Sequence, residues 1–277
     1  MTTMNREAIY DLTQLFALRE ALDTLDPAAA PTACILSPQM TVPLHRVGIF
    51  PGSFNPLTVA HTELARQARK TLQLDRVFFT LAKVTVDKEQ VTGLSLADRL
   101  LLLTLYAQRH DGIGVALVNR GLYVEQAQAF RSLLGVQTEL HFVVGMDKLQ
   151  QIFDPRYYQD RDAVLRQLFA RASLIVANRG EMDQKEFTRF LDRPENRAYH
   201  AHVRFLPLPA TVAELSATAV RAALAAGQQV EDQVPVETAI FLDETRAYHP
   251  PLRSGNKTLD LYALRLALLD LLYLIRS

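Results

Sequence analysis

Gly48-Ile-Phe-Pro-Gly-Ser-Phe-Asn-Pro-Leu-Thr-Val-Ala-His61 is the stretch that decides how the chain is read. Its first residues belong to the run Arg46–Phe50, whose Val, Ile and Phe suit a strand. Its last residues open a helical stretch near 61–73. Between them, Gly52 and Ser53 permit backbone amides to come close to an anion, and Asn55-Pro56 forces a turn. Thr58 and His61, three residues apart, share one face at the start of the helix. There the free N–H groups and the positive end of the dipole add to an imidazole and a hydroxyl. That combination suits a triphosphate. The same residues equally fit a bare strand–turn–helix connection with a capping residue and an incidental histidine.

Outward from this stretch, short β-rich runs alternate with helical ones. Strands are expected at Arg46–Phe50, Arg76–Leu81, Gly114–Asn119, Leu140–Gly145, Ser173–Ala177 and Val203–Leu206. Helices are expected near 61–73, 95–109, 123–134, 160–171, 184–191 and 216–226. This alternation predicts an α/β fold, with a mostly parallel sheet covered by helices on both faces. The near-continuous apolar runs Leu140–Gly145 and Ser173–Ala177 agree with strands buried on both sides. Ligands of such sheets sit beyond the carboxyl ends of the strands, so the loops after Phe50, Leu81, Asn119 and Gly145 are the places to search.

The two ends have a different texture. Residues 5–25 read as an amphipathic helix with Ile9, Leu12, Phe16 and Leu22 among its apolar positions. Asp26–Pro43, with four prolines and three consecutive alanines, reads as a linker. In Leu259–Ile275 the charges Asp260, Arg265 and Asp270 stand five apart and scatter around a helix, leaving no polar stripe. A helix apolar all round packs on its own domain or lies in an interface, so a homo-oligomer through this segment is one expectation. The division expected is 1–45 for the N-terminal helix and linker, 46–245 for the main domain and 246–277 for a helical extension.

Composition narrows the class. The 277 residues are 49% hydrophobic and 22% charged, and 30 basic residues balance 30 acidic ones. Zero net charge removes the electrostatic argument for a nucleic-acid partner or a membrane surface. A single cysteine, Cys34, builds neither an internal disulfide nor a thiolate metal site. With no signal-peptide pattern and no run of about 18 apolar residues, the expectation is a cytoplasmic protein.

A second candidate segment is Leu215-Ser-Ala-Thr-Ala-Val-Arg-Ala-Ala-Leu224. Alone it is a helix capped by Ser216 and stopped by Gly227, with an exposed arginine. Together, the two segments resemble the signatures of the nucleotidyltransferase superfamily, G-x-F-x-P-x-[HT]-x-x-H and S-[ST]-T-x-[IV]-R. The Gly-Ser-Phe-Asn-Pro and Thr-x-x-His version is similar above all to nicotinamide mononucleotide adenylyltransferases of eukaryotic type. The resemblance covers roughly residues 46–245 and implies a Rossmann-like nucleotidyltransferase fold with added terminal helices. By resemblance, His61 and Arg221 are catalytic and hold the ATP phosphates from opposite sides, joined on the ATP by Gly52, Ser53, Phe54, Thr58, Ser216 and Thr218. Arginine suits such a task because its planar fork grips phosphate oxygens in pairs and stays charged. Ala217 departs from the pattern and removes one hydroxyl.

Two further segments fall in the family's order. Val143-Val-Gly-Met-Asp147 matches its Gly-x-Asp, which brings Gly145 and Asp147 to the nucleotide. Lys83–Lys88 lies where the family places lysines near phosphates, with Lys88 the expected third catalytic cation. At the pyridine end the family commonly stacks the ring on tryptophan, and this chain has none; Tyr123 and Tyr158 fall near the matching positions. No metal site of the protein's own is expected. Magnesium would come with the ATP, and the acceptor would be nicotinamide or nicotinate mononucleotide. Two other readings stay open, a nucleotidyltransferase for another phosphorylated acceptor (phosphopantetheine or cytidylyltransferase type) and a nucleotide-binding relative without turnover.

Overall fold

In the computed structural model, which describes residues 6–38, 43–84, 93–178, 184–209, 212, 215–255 and 257–276, each strand and helix expected between 46 and 226 lies within two residues of its anticipated ends. Strand β1 (Ala33–Ser37) is followed by β2 (Arg46–Pro51), β3 (Arg76–Ala82), β4 (Ile113–Val118), β5 (Glu139–Gly145), β6 (Ala172–Ala177) and β7 (Val203–Leu206). Helices α1 (Leu12–Thr24), α2 (Val59–Leu72), α3 (Leu96–Ala107), α4 (Tyr123–Leu134), α5 (Met146–Phe153), α6 (Arg161–Phe169) and α7 (Gln184–Leu191) come before β7. After it come α8 (Ala217–Ala225), α9 (Val236–Thr245), a small hairpin of β8 (Leu252–Ser254) and β9 (Lys257–Leu259), and α10 (Leu261–Arg276).

The sheet runs β1-β4-β3-β2-β5-β6-β7, and every pair from β4 to β7 is parallel. Winding therefore starts at β2, proceeds to one side through β3 and β4, then reverses and proceeds to the other side through β5. This is the doubly wound dinucleotide-fold order, and its topological switch point lies between β2 and β5. Side chains alternate across it with period two. Phe50, Val77, Phe79, Val115 and Val143 join the core under α1, α2, α3 and α9; Ile49, Phe78, Ala116, Phe142 and Val144 join the one under α4, α5, α6 and α7.

The linker reading of Asp26–Pro43 is corrected. Ala33–Ser37 is an edge strand antiparallel to β4, with Cys34 opposite Leu117 and Ile35 opposite Ala116. The proline-rich part before it is pinned by buried Asn119. Its Oδ1 accepts from the Thr32 N–H at 2.9 Å and its Nδ2 donates to the carbonyls of Asp26 and Ala30, each at 2.9 Å. The expected 5–25 helix is also divided. A 3-10 turn, Arg6–Tyr10, ends at Asp11, whose Oδ1 caps α1 by accepting from the N–H groups of Thr13 and Gln14.

Helix α10 packs on its own domain with one face and leaves the other exposed. Inward, Tyr262 and Arg265 reach Asp98 of α3 at 2.8 and 2.9 Å, in an ion pair whose side chains are 8% and 1% exposed. Arg265 also donates to the Ile9 carbonyl, and Asp270 pairs with Arg19 of α1. Helices α1 and α10 thus pack on the central domain. Outward, Leu264, Leu268, Leu271, Leu272 and Ile275 form a stripe of side chains 39–74% exposed. No described helix is long and apolar enough to cross a membrane.

Candidate active site

At the switch point, beyond the carboxyl ends of β2 and β5, the chain leaves a cavity of about 580 Å³. Residues from both halves of the sheet line it. Gly52, Ser53 and His61 come from the first segment, Gly145 and Asp147 from the end of β5, and Ser216, Thr218 and Arg221 from α8. The amino ends of α2, α5 and α8 border the same space, so three positive dipole ends face it.

His61 is oriented by its own helix start. Thr58 is the N-cap of α2, and His61, three residues on, takes the place of the acid in a capping box. Its Nδ1 lies 3.1 Å from the Thr58 backbone N–H and 2.8 Å from the Thr58 hydroxyl. A backbone N–H only donates, so Nδ1 must accept, and the ring proton of the neutral imidazole then sits on Nε2. Phe54 supports the ring edge-on, with centroids 5.2 Å apart, and itself packs on Phe50 and Phe79.

This packing sets three of the expected ATP contacts apart from the others. Phe54 and Thr58 are fully buried and do not line the cavity, so they shape the histidine rather than face a ligand. Gly52 lines the cavity, but its N–H donates to the Thr80 carbonyl at 3.2 Å and is spent within the sheet. It is a glycine because a Cβ there would lie 2.8 Å from the Phe54 ring, which turns beneath it at a φ of +44°.

Across the cavity, Arg221 donates from Nη1 to the Asn55 carbonyl at 2.7 Å and from Nη2 to the Thr218 hydroxyl at 3.2 Å. Asn55 is the joint between the two segments. Its Oδ1 accepts from the Leu94 N–H at 3.0 Å and from the Tyr248 hydroxyl. Ser216 caps α8 through the Ala219 N–H at 3.1 Å. Asp147 leans back over bare Cα of Gly145, where a Cβ would stand 2.7 Å from its Oδ1.

The cavity also has a cation that sequence reasoning missed. Arg99 of α3 lines it, donates to the Ser53 carbonyl at 3.0 Å and keeps a buried Nε without a partner. Burial draws its guanidinium below the usual arginine pKa. The available signal was the pair Asp98-Arg99 in the otherwise apolar run Leu96–Ala107, two charges that the helix must bury.

The remaining expectations divide. Tyr123 lines the cavity, edge-on to Phe142, and burial pushes its hydroxyl pKa up. Tyr158 does not line it; its hydroxyl is tied to the Ile152 carbonyl at 2.9 Å, at the end of α5. Lys83 is turned away, donating to the carbonyls of Leu22 and Leu25 at the end of α1. Lys88 lies outside the described residues.

The fold and these paired segments define a nucleotidyltransferase site, and the chain belongs to the cytidylyltransferase-like family, whose model matches residues 49–223. Among its relatives is a protein of Methylibium petroleiphilum named "Probable nicotinate-nucleotide adenylyltransferase", 28% identical over 217 residues, covering 76% of this chain and 95% of the relative. A Chromobacterium violaceum protein of the same name is 29% identical over 217 residues, covering 73% and 98%. These are bacterial nicotinate relatives, whereas the Gly-Ser-Phe-Asn-Pro wording pointed to the eukaryotic nicotinamide type. The fold also superposes on Plasmodium falciparum nicotinic acid mononucleotide adenylyltransferase complexed with NaAD, with a TM-score of 0.53 at 15% identity, over 73% of this chain and 97% of that one.

Proposed function

We propose that the chain transfers the adenylyl group of ATP to nicotinate or nicotinamide mononucleotide and releases pyrophosphate, a step of NAD synthesis. The observation that carries this reading is the meeting of His61 and Arg221, 160 positions apart, on one cavity at the switch point. The names of the bacterial relatives support the choice of acceptor.

In this reading an acceptor phosphate oxygen attacks the α-phosphorus of ATP in line, and the bond to the β-phosphate oxygen breaks. The phosphate is ionised at neutral pH, so the protein supplies neither nucleophile nor base. Its work is to hold two polyanions together and to stabilise the charge that collects on pyrophosphate. His61 donates from Nε2, and Arg221 and Arg99 supply fixed positive charge. Lys88, outside the described residues, is assigned as a further cation by the family resemblance alone. Ser53, Ser216, Thr218 and the helix amino ends bind the phosphates, Asp147 binds the nucleotide, and Tyr123 offers its face at the acceptor end.

Among the described residues no three His, Cys, Asp or Glu side chains converge to hold a metal. The described lining carries one carboxylate, Asp147, among several cations, a donor set that fits a metal arriving already chelated by phosphate oxygens. Magnesium bound in that way neutralises charge on the triphosphate. The same proposal includes a cytoplasmic setting and a homodimer through the exposed stripe of α10.

The test is to incubate the protein with ATP, magnesium and each candidate acceptor, and to measure pyrophosphate. Release with pyridine mononucleotides alone is expected; release only with another phosphorylated acceptor, or nucleotide binding without release, overturns the reading. His61→Ala should lower turnover about 100-fold or more with the fold intact. A folded variant with near-normal release would remove His61 from the mechanism.

A further inference from the structure

A second and larger cleft, about 930 Å³, lies at the opposite end of the sheet, where β3 and β4 begin and where α2 and α3 end. The reaction proposed above makes no use of it. Its wall is cationic, with Arg66, Arg69, Lys70, Arg76 and Arg109 facing it. Two of these are neutralised: Arg66 pairs with Glu63 at 2.6 Å and Arg109 with buried Glu237 at 3.0 Å. Among the described residues Arg69, Lys70 and Arg76 have no carboxylate in an ion pair. Asp75, also on the wall, is committed to the backbone N–H groups of His45 and Arg46 at 2.6 and 2.9 Å. Asp111 is exposed at the rim and is the acid that offsets part of the charge on Arg76.

Arg69 and Lys70 stand in the last turn of α2, where cations complement the negative end of the dipole. Arg76 opens a strand, so that account does not reach it. Its Nε and Nη1 are buried without any hydrogen-bond partner, which leaves Nη2 as the nitrogen that reaches the cleft. A desolvated guanidinium with two unmet donors is costly, and here the charge of Arg69 stands beside it. Arg69 is fixed in place by the 111–112 turn. It donates to the Asp111 carbonyl at 3.3 Å, and a Cβ on Gly112, whose φ is +77°, would stand 2.1 Å from its Nε. The stacked rings of Tyr106 and His110, 3.9 Å apart, make a flat wall on the same cleft.

We propose that this basal cleft binds a phosphate group on Arg69 and Arg76, either as inorganic phosphate or as the phosphate of a mononucleotide. Two adjacent guanidiniums match a phosphate dianion, whose oxygens would meet Arg76 Nη2 and the Arg69 guanidinium, neither of them ion-paired to a carboxylate among the described residues. The cleft has room beyond the phosphate for a nucleoside against the His110 side.

The experiment uses the full chain carrying His61→Ala and Arg221→Ala, which removes a cation and a hydrogen-bond donor from the switch-point cavity. Equilibrium dialysis with labelled inorganic phosphate should find one site per chain, weakened about tenfold or more by added Arg76→Gln or by added Arg69→Gln. AMP tells the sources apart: tighter binding than phosphate identifies a mononucleotide site, and equal or weaker binding identifies a site for phosphate itself. Tungstate soaked into crystals of the unaltered protein gives a readout that needs no variant, with an anomalous peak expected between Arg69 and Arg76. Phosphate binding that survives both substitutions unchanged, or tungstate confined to the switch-point cavity, overturns the proposal.

Discussion

A histidine at the third position of a helix has its ring bent back toward the cap, and at His61 that geometry selects which nitrogen is left to give. The spacing Thr58-x-x-His61 was readable in the sequence, and so was its place after a strand. Which of its residues face outward was not readable. Spacing places side chains near one another, whereas exposure depends on packing from distant segments, here Phe79 against Phe54 and the Gln233 carbonyl on the Val59 N–H. A different histidine carries the prediction for pH. His141 of β5 accepts or donates at Nδ1 with Ser173 at 2.6 Å, and burial draws its pKa below the usual value against the weaker opposing pull of Glu139. Folding then disfavours its protonated form. Its contribution is complete above about pH 6.5 and is lost as pH falls toward the folded value, by about 1.4 kcal/mol per unit of depression. Urea midpoints at pH 7.5 and 5 should fall further for the native chain than for His141→Gln; equal falls would rule the histidine out.

Strands β2 to β7 and helices α2, α3, α4, α6, α7 and α8 were legible in the sequence, whereas α5 and α9 were not anticipated. The strand-and-helix alternation between 46 and 226 is imposed by a sheet buried on both faces, which requires apolar runs of strand length separated by amphipathic helices. Strand β1 escaped because an edge strand needs only one good face, and Ala33–Ser37 is short and surrounded by proline and alanine. The pair that anchors α10 escaped because Arg265 looks like any other charge in the sequence; its partner Asp98 lies 167 positions away. Removing Arg265 leaves that carboxylate buried and half satisfied. Arg265→Met should therefore cost about 3–5 kcal/mol in urea unfolding, and the pair Asp98→Leu with Arg265→Met should cost less than the single change. A single-variant loss below about 1 kcal/mol would show that packing alone holds the helix.

At the scale of the whole molecule, the outward face of α10 is the feature that a lone chain leaves unexplained. Leu264, Leu268, Leu271, Leu272 and Ile275 recur at helical spacing on the surface, and the homodimer proposed above would cover them. If two copies pair through it, Leu268→Glu with Leu271→Glu should convert a dimer to a monomer in sedimentation while pyrophosphate release persists. A native chain that sediments as a monomer at micromolar concentration would remove the dimer from the picture.

The order in which the two cavity walls are synthesised has a consequence for the nascent chain. A growing polypeptide has made the histidine wall, and the carbonyl that Arg221 will grip, long before the helix bearing Arg221 leaves the ribosome. Until then the clamp proposed for the triphosphate has only one of its two walls. On the proposed reading, nucleotide can therefore reward folding only once α8 has been made, and the earlier segments must hold their shape by their own packing and hydrogen bonds.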